Sequence, residues 1–94
     1  MTIFWKYSKQ FLKSLVRLVK CGLKKSVQEH IKVTIELLKS GKRLEVNYRD
    51  HKLHGEFSAY RKCHIQGDLL LVYQIVKDEL VLVLVTIGTY SDLF

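Results

Sequence analysis

At 94 residues the chain is long enough for one domain with one thin core and too short for a deep enclosed cavity, so any site should be a shallow groove suited to a macromolecule. Its net charge of +7 is unevenly spread: residues 1–43 net +9 and residues 44–94 net −2, which points to a polyanion held by the first half. Two cysteines make no disulfide framework, no signal peptide is legible, and neither late apolar run reaches the ~20 residues of a membrane span, so the expectation is a cytoplasmic protein with no membrane partner.

Thr2–Tyr7 is aromatic and β-branched and predicts a short strand. Ser8 predicts the N-cap of a helix running to about Cys21, with Gly22 at its stop. Phe11, Leu12, Leu15, Val16 and Val19 form its expected buried face, with Lys9, Lys13, Arg17, Lys20 and Lys24 opposite. Ser26 and Glu29 have capping-box spacing and open a second helix, Ser26–Ser40, with Val27, Ile31, Ile35 and Leu38 inward. The short link after Gly22 predicts an antiparallel helical hairpin. A loop follows over residues 42–54.

Alternation resumes over Glu56–Ile65 and predicts a strand. Phe57, Ala59, Arg61 and Cys63 fall on one face, Ser58, Tyr60, Lys62 and His64 on the other. Leu69–Val76 and Leu80–Ile87 are nearly continuous apolar runs joined by Lys77-Asp78-Glu79, the pattern of a central hairpin. The order β-α-α-β-β-β predicts one α+β domain over residues 1–94: a twisted antiparallel sheet with the helical hairpin packed on one face. Val16, Ile31, Ile35, Leu70, Val72, Val81 and Val83 are the expected core.

The chemistry-bearing residues lie in the second half. Imidazole titrates near neutral pH, so His51, beside Asp50, and His64 can take or give a proton at working conditions. Asp68, four residues after His64, can orient it, hold a sugar hydroxyl or act as a base. The plain alternative for each histidine is an ordinary surface residue. His54 and His30 have less to recommend them. Lys9, Lys13, Arg17, Lys20, Lys24, Lys25 and Arg61 are candidate RNA contacts, able to hold phosphates without reading bases. Among the aromatics, Tyr73 suits a core strand, whereas Tyr60, Tyr90 and Phe94 can stack on bases. Neighbours on a strand point to opposite faces, so Cys63 and His64 cannot easily share an ion, and no metal or cofactor is expected.

Three motifs then stand in register: Tyr48-x-Asp50-His51-x-Leu53-x-Gly55, Tyr60-Arg61-x-x-His64-x-x-x-Asp68-x-Leu70-Leu71-Val72-Tyr73, and Gly88-Thr89-x-Ser91-x-Leu93-Phe94. Together they resemble the YafQ branch of the RelE/ParE toxin superfamily, over about Tyr48 to Phe94. The resemblance implies a toxin of a bacterial type II toxin–antitoxin pair, acting as a ribosome-dependent endoribonuclease. Its partners would be an acidic antitoxin and the ribosome, with its rRNA and mRNA. In such toxins the ribose 2′-hydroxyl attacks its own phosphodiester, and the positions of His51, His64, Asp68 and Phe94 carry functional residues. Two positions depart from the family's Arg-x-Gly-Thr-His: Thr86 replaces the arginine and Tyr90 the histidine. Both departures imply weakened cleavage, with Tyr90 still a candidate catalytic group. The alternative is an inactive relative that keeps antitoxin or ribosome binding. A ParE-like action on gyrase is argued against by His51, His64 and Asp68.

Overall fold

Ser8 joins sheet to helix. In the computed structural model, which describes residues 4–41, 44–53, 55, 58–76 and 81–93, its hydroxyl accepts from the Phe11 N–H at 3.0 Å and donates to the Val85 carbonyl at 2.5 Å. Its backbone N–H bonds the Leu84 carbonyl at 2.9 Å. The same residue therefore ends β1 (Phe4–Tyr7), caps α1 (Lys9–Lys20) and ties both to the last strand. The second helix, α2 (Lys25–Lys39), begins before Ser26. Lys24 holds the extended N-cap backbone, so Ser26 already lies in the first turn and the expected capping box is not the start of the helix. Gln28 Nε2 instead donates to the Leu23 carbonyl at 2.8 Å.

After a 3-10 turn at Val46–Tyr48 come β2 (His51–Lys52), β3 (Arg61–Gln66), β4 (Leu69–Val76), β5 (Val81–Thr89) and a short α3 (Tyr90–Leu93). The sheet order is β1-β5-β4-β3-β2. The α+β class, the two helices on one face and the central β4–β5 pair are as the sequence predicts. Three details differ. β1 runs parallel to β5, because the rest of the chain separates them and no tight turn imposes an antiparallel pairing. β2 forms inside the expected loop. β3 starts at Arg61 rather than Glu56, since a turn is closed by Ser58 N–H bonding the Gly55 carbonyl, with Gly55 at φ +68°. Lys77-Asp78-Glu79 lies outside the described residues.

α1 packs over β5 and α2 over β3. Phe11, Ile31 and Leu38 from the helices meet Cys63, Leu71, Tyr73 and Leu84 of the sheet in one buried cluster. Leu70 and Val72, alternating with these, are buried on the opposite side of the sheet. Ile31, Leu70 and Val72 are buried as expected, while Ile35, Val81 and Val83 are half-buried. Val16 is not core: it is 43% exposed, and Leu12 and Val19 share that face. The inward stripe of α1 is Phe11, Ser14, Leu15 and Leu18, rotated about one position from the expected one. A serine is tolerated there because Ser14 Oγ accepts from Gln10 Nε2 at 3.2 Å and lies 3.4 Å from Thr86 Oγ1.

Candidate active site

Strand pairing sets the site on the sheet face turned away from the helices. His51 pairs with Lys62, Lys62 with Val72, and Val72 with Thr86. In the next row His64 pairs with Leu70 and Leu70 with Gly88. Paired residues share a face, so His51, Lys62 and His64 stand together opposite the Cys63–Leu71 core face. The His51 and His64 rings are 6.5 Å apart between centroids, inclined by 30°. Asp68 is exposed in the β3–β4 turn, after Gly67 at φ +59°. Leu69 pairs with Thr89, so Asp68 and the start of α3 at Tyr90 lie at the same end of the sheet. Thr86 pairs with Val72, but the β4–β5 register shifts just beyond that pair, and the Thr86 hydroxyl meets Ser14 of α1 at 3.4 Å instead of joining the histidines. Phe94 and His54 lie outside the described residues.

The electrostatics of this face are positive. Burial first, then the charges of Arg49 and Lys62 and the neighbouring His51, push His64 below the ordinary value of 6.5. His64 is therefore neutral at pH 7 and able to accept a proton. His51 Nδ1 lies 2.6 Å from the Arg49 carbonyl oxygen. A carbonyl can only accept, so Nδ1 carries the hydrogen and the neutral ring keeps its lone pair on Nε2. Two neighbouring imidazoles, with His64 held ready to accept a proton, beside an ammonium and a guanidinium, form a surface suited to a phosphodiester. Reading the sequence for sites singled out neither Arg49 nor Lys62. Lys62 was findable, because it alternates in phase with His64. Arg49 was not: it adopts φ 49°, left-handed backbone that nothing in its residue type announces.

On the opposite face Asp50 accepts from the Tyr73 hydroxyl at 2.5 Å and from Arg61 Nε at 3.2 Å. Arg61, expected as an RNA contact, is thus held in an ion pair beside Tyr73, on the face opposite His64. Burial, then the hydrogen bond to Asp50, raises the Tyr73 phenol and keeps it a donor. The buried Cys63 thiol is pushed up to about 12, by burial first and then by Asp50, which makes it an inert core group. Cys63 and His64 face opposite ways, as alternation predicts. Among the described residues no three of His, Cys, Asp and Glu gather closely enough to hold an ion.

The sequence pattern of the bacterial type II toxin–antitoxin toxin YafQ matches residues 4–94. The chain belongs to the YafQ toxin family. A Haemophilus influenzae protein bearing the YafQ toxin name is 43% identical over 74 residues, which are 78% of this chain and 72% of that protein. A metal-bound Helicobacter pylori toxin is 39% identical, with a TM-score of 0.84 over 98% of this chain and 99% of the other. The E. coli toxin in the DinJ–YafQ toxin–antitoxin complex is 27% identical, with a TM-score of 0.87 over 100% and 99%.

For a YafQ-family chain the surface of α1 is informative. Lys9, Lys13, Arg17 and Lys20 of α1 are all exposed, as are Lys24 and Lys25 at the start of α2, and α1 contains no acid. The charges do not stand on a purely polar face. Leu12 and Val16 line a shallow groove with Lys13, Arg17 and Lys20. Exposed apolar side chains between cations fit a partner that offers both acid and hydrocarbon.

Proposed function

We propose that this toxin is a ribosome-dependent endoribonuclease that cuts mRNA in the ribosomal A site, weakened by Thr86 and Tyr90. The observation that supports it best is the His51–His64 pair, 6.5 Å apart between ring centroids, with the charges of Lys62 and Arg49 acting at His64. In the reaction His64 or His51, assisted by Asp68 of the β3–β4 turn, removes the 2′-hydroxyl proton. The 2′-oxygen bonds to phosphorus, the P–O5′ bond breaks, and the products are a 2′,3′-cyclic phosphate and a 5′-hydroxyl. Lys62 and Arg49 offset charge on the phosphoryl oxygens, and the leaving 5′-oxygen takes a proton from a group at the Tyr90–Phe94 end. The second reading is a family member that binds without cutting. It is favoured by an uncharged Thr86 whose hydroxyl is directed at Ser14 rather than at the histidines.

Cleavage of mRNA on programmed ribosomes tests the reading: a cyclic-phosphate end should form with the native chain and vanish with His64→Ala. Cleavage should hold from pH 7 down past 6.5 and fall only at lower pH, because His64 protonates below that value. The stability linkage has the same sign. Between the folded value and 6.5 the unfolded chain binds more protons, so the contribution of His64 is complete above 6.5 and declines as pH falls through it. A rate that already drops near pH 7 would remove His64 from the role of base.

The partners proposed are an antitoxin and the ribosome, in the bacterial cytoplasm. The basic helices would rest on rRNA phosphates, and the antitoxin, acidic where it meets the chain, would cover the Leu12–Val16 groove of α1. The two surfaces separate experimentally. Reversing charge at Lys13, Arg17 and Lys20 should weaken ribosome binding and lower its salt slope by about one for each phosphate no longer neutralised. Leu12→Ser with Val16→Ser should spare ribosome binding and weaken the antitoxin complex. Unchanged ribosome binding and salt slope after the charge reversal would leave these lysines as a solvated face.

A further inference from the structure

We infer that Asp50 is a positioning residue for His51: its carboxylate, gripped by Tyr73 and Arg61 on the core face, holds the next imidazole on the opposite face against His64. The chain approaching His51 is fastened twice before it arrives. Tyr48 is buried beneath α2, its hydroxyl 3.2 Å from the Thr34 hydroxyl and its ring 5.6 Å from that of His30. Arg49 then takes its left-handed turn. Asp50 follows and meets two donors that are themselves fixed, since Arg61 and Tyr73 are cross-strand partners on β3 and β4. Adjacent residues of an extended chain point to opposite faces. With Asp50 held on the core face, His51 has only the opposite face, that of His64, open to it.

The consequence reaches the proton. Only with the Arg49–His51 segment held in this path does the Arg49 carbonyl lie 2.6 Å from His51 Nδ1, which leaves the lone pair on Nε2. An unrestrained imidazole in water prefers the other tautomer. The grip by Asp50 thus decides which nitrogen His51 presents on that face. Nothing in this requires Asp50 to touch RNA, so its motif position beside His51 is a matter of geometry and not of a second base. The geometry stands on the hydrogen bonds alone; its effect on rate rests on the endoribonuclease reading.

The test is the imidazole nitrogen spectrum of the ¹⁵N-labelled full chain, read beside single-turnover cleavage on programmed ribosomes. Native His51 should show Nδ1–H. In Asp50→Ala that signature should give way to Nε2–H, and cleavage should fall by about 10–10²-fold in kcat with KM unchanged, the scale of an ångström-sized misplacement. Asp50→Asn keeps a carbonyl oxygen for both donors and should restore the native tautomer. If Asp50→Ala does not fold, Tyr73→Phe decides, because it removes one donor and leaves the carboxylate: a partial loss of Nδ1–H supports the inference and no change overturns it. Native His51 tautomer in a folded Asp50→Ala chain overturns it, as does an Asn variant as disturbed as the Ala one. If the tautomer responds but no form of the chain cleaves, the positioning role stands and the endoribonuclease reading falls.

Discussion

Thr86→Arg combined with Tyr90→His should raise mRNA cleavage on ribosomes by about 10²–10³-fold, the usual worth of one group aimed at developing transition-state charge. The pentavalent phosphate gathers negative charge as the 2′-oxygen adds and the 5′-oxygen departs. The charges of Lys62 and Arg49 act at His64, whereas position 86 sits beside the register shift of β4–β5 with its present hydroxyl directed at Ser14. An arginine there would add the positive charge and the longer reach that the threonine lacks. The leaving oxygen also needs a proton, and a phenol with a free pKa near ~10 gives one up less readily at pH 7 than an imidazole near ~6.5. Little stands in the way structurally: the Thr86–Ser14 contact is long at 3.4 Å, and Ser14 retains Gln10. The gain should make expression toxic, and His64→Ala or Asp68→Asn in the doubly substituted chain should remove it. A native chain that already cuts as fast would mean that Lys62 and Arg49 are cation enough and that the chain is not attenuated. If neither form cuts, binding without cleavage becomes the better reading.

What was legible in the sequence divides along physical lines. The β4–β5 pair was legible because eight or nine consecutive positions share one pattern, and a central strand buried on both faces leaves a near-continuous apolar run. β2 was not, since two residues are too few for a period to show. The parallel pairing of β1 with β5 was hidden because partners such as Phe4 and Val81 are joined only by tertiary structure. The site shows the same division. Alternation placed Lys62 and His64 on one face and Arg61 with Cys63 on the other, so the true surroundings of Arg61 were implicit in the pattern that also suggested it as an RNA contact. The spacing Tyr48-x-Asp50-His51 marked a segment for attention without saying which face each side chain would meet. In the structure Tyr48 bonds Thr34 and Asp50 bonds Tyr73 and Arg61, a distinction set by which face each side chain meets, and that depends on a left-handed backbone at Arg49 that residue type does not declare.

The α1 face gives the sharpest contrast between pattern and packing, and it can be measured. Leu71→Ala should cost about 2–5 kcal/mol, the range for a truncated core leucine, whereas Val16→Ala should stay within about 0.5 kcal/mol. Leu71 is fully buried on β4, paired with Cys63 on one side and Ile87 on the other, so neighbours can collapse into the gap only by moving the centre of the sheet. Against a domain stability of about 5–15 kcal/mol, that loss brings the fold close to its limit. Val16 belongs to the same helical apolar spacing as Leu12 and Val19, yet it is 43% exposed, and alanine also favours the helix. Urea unfolding followed by circular dichroism, with m-values compared, reads both. A Val16→Ala loss as large as that of Leu71→Ala would place Val16 in the core and remove the exposed groove proposed to meet the antitoxin. A small one, together with a weakened antitoxin complex in Leu12→Ser/Val16→Ser, would mean that these apolar positions serve binding and not folding, which is why periodicity alone assigned them to the wrong interior.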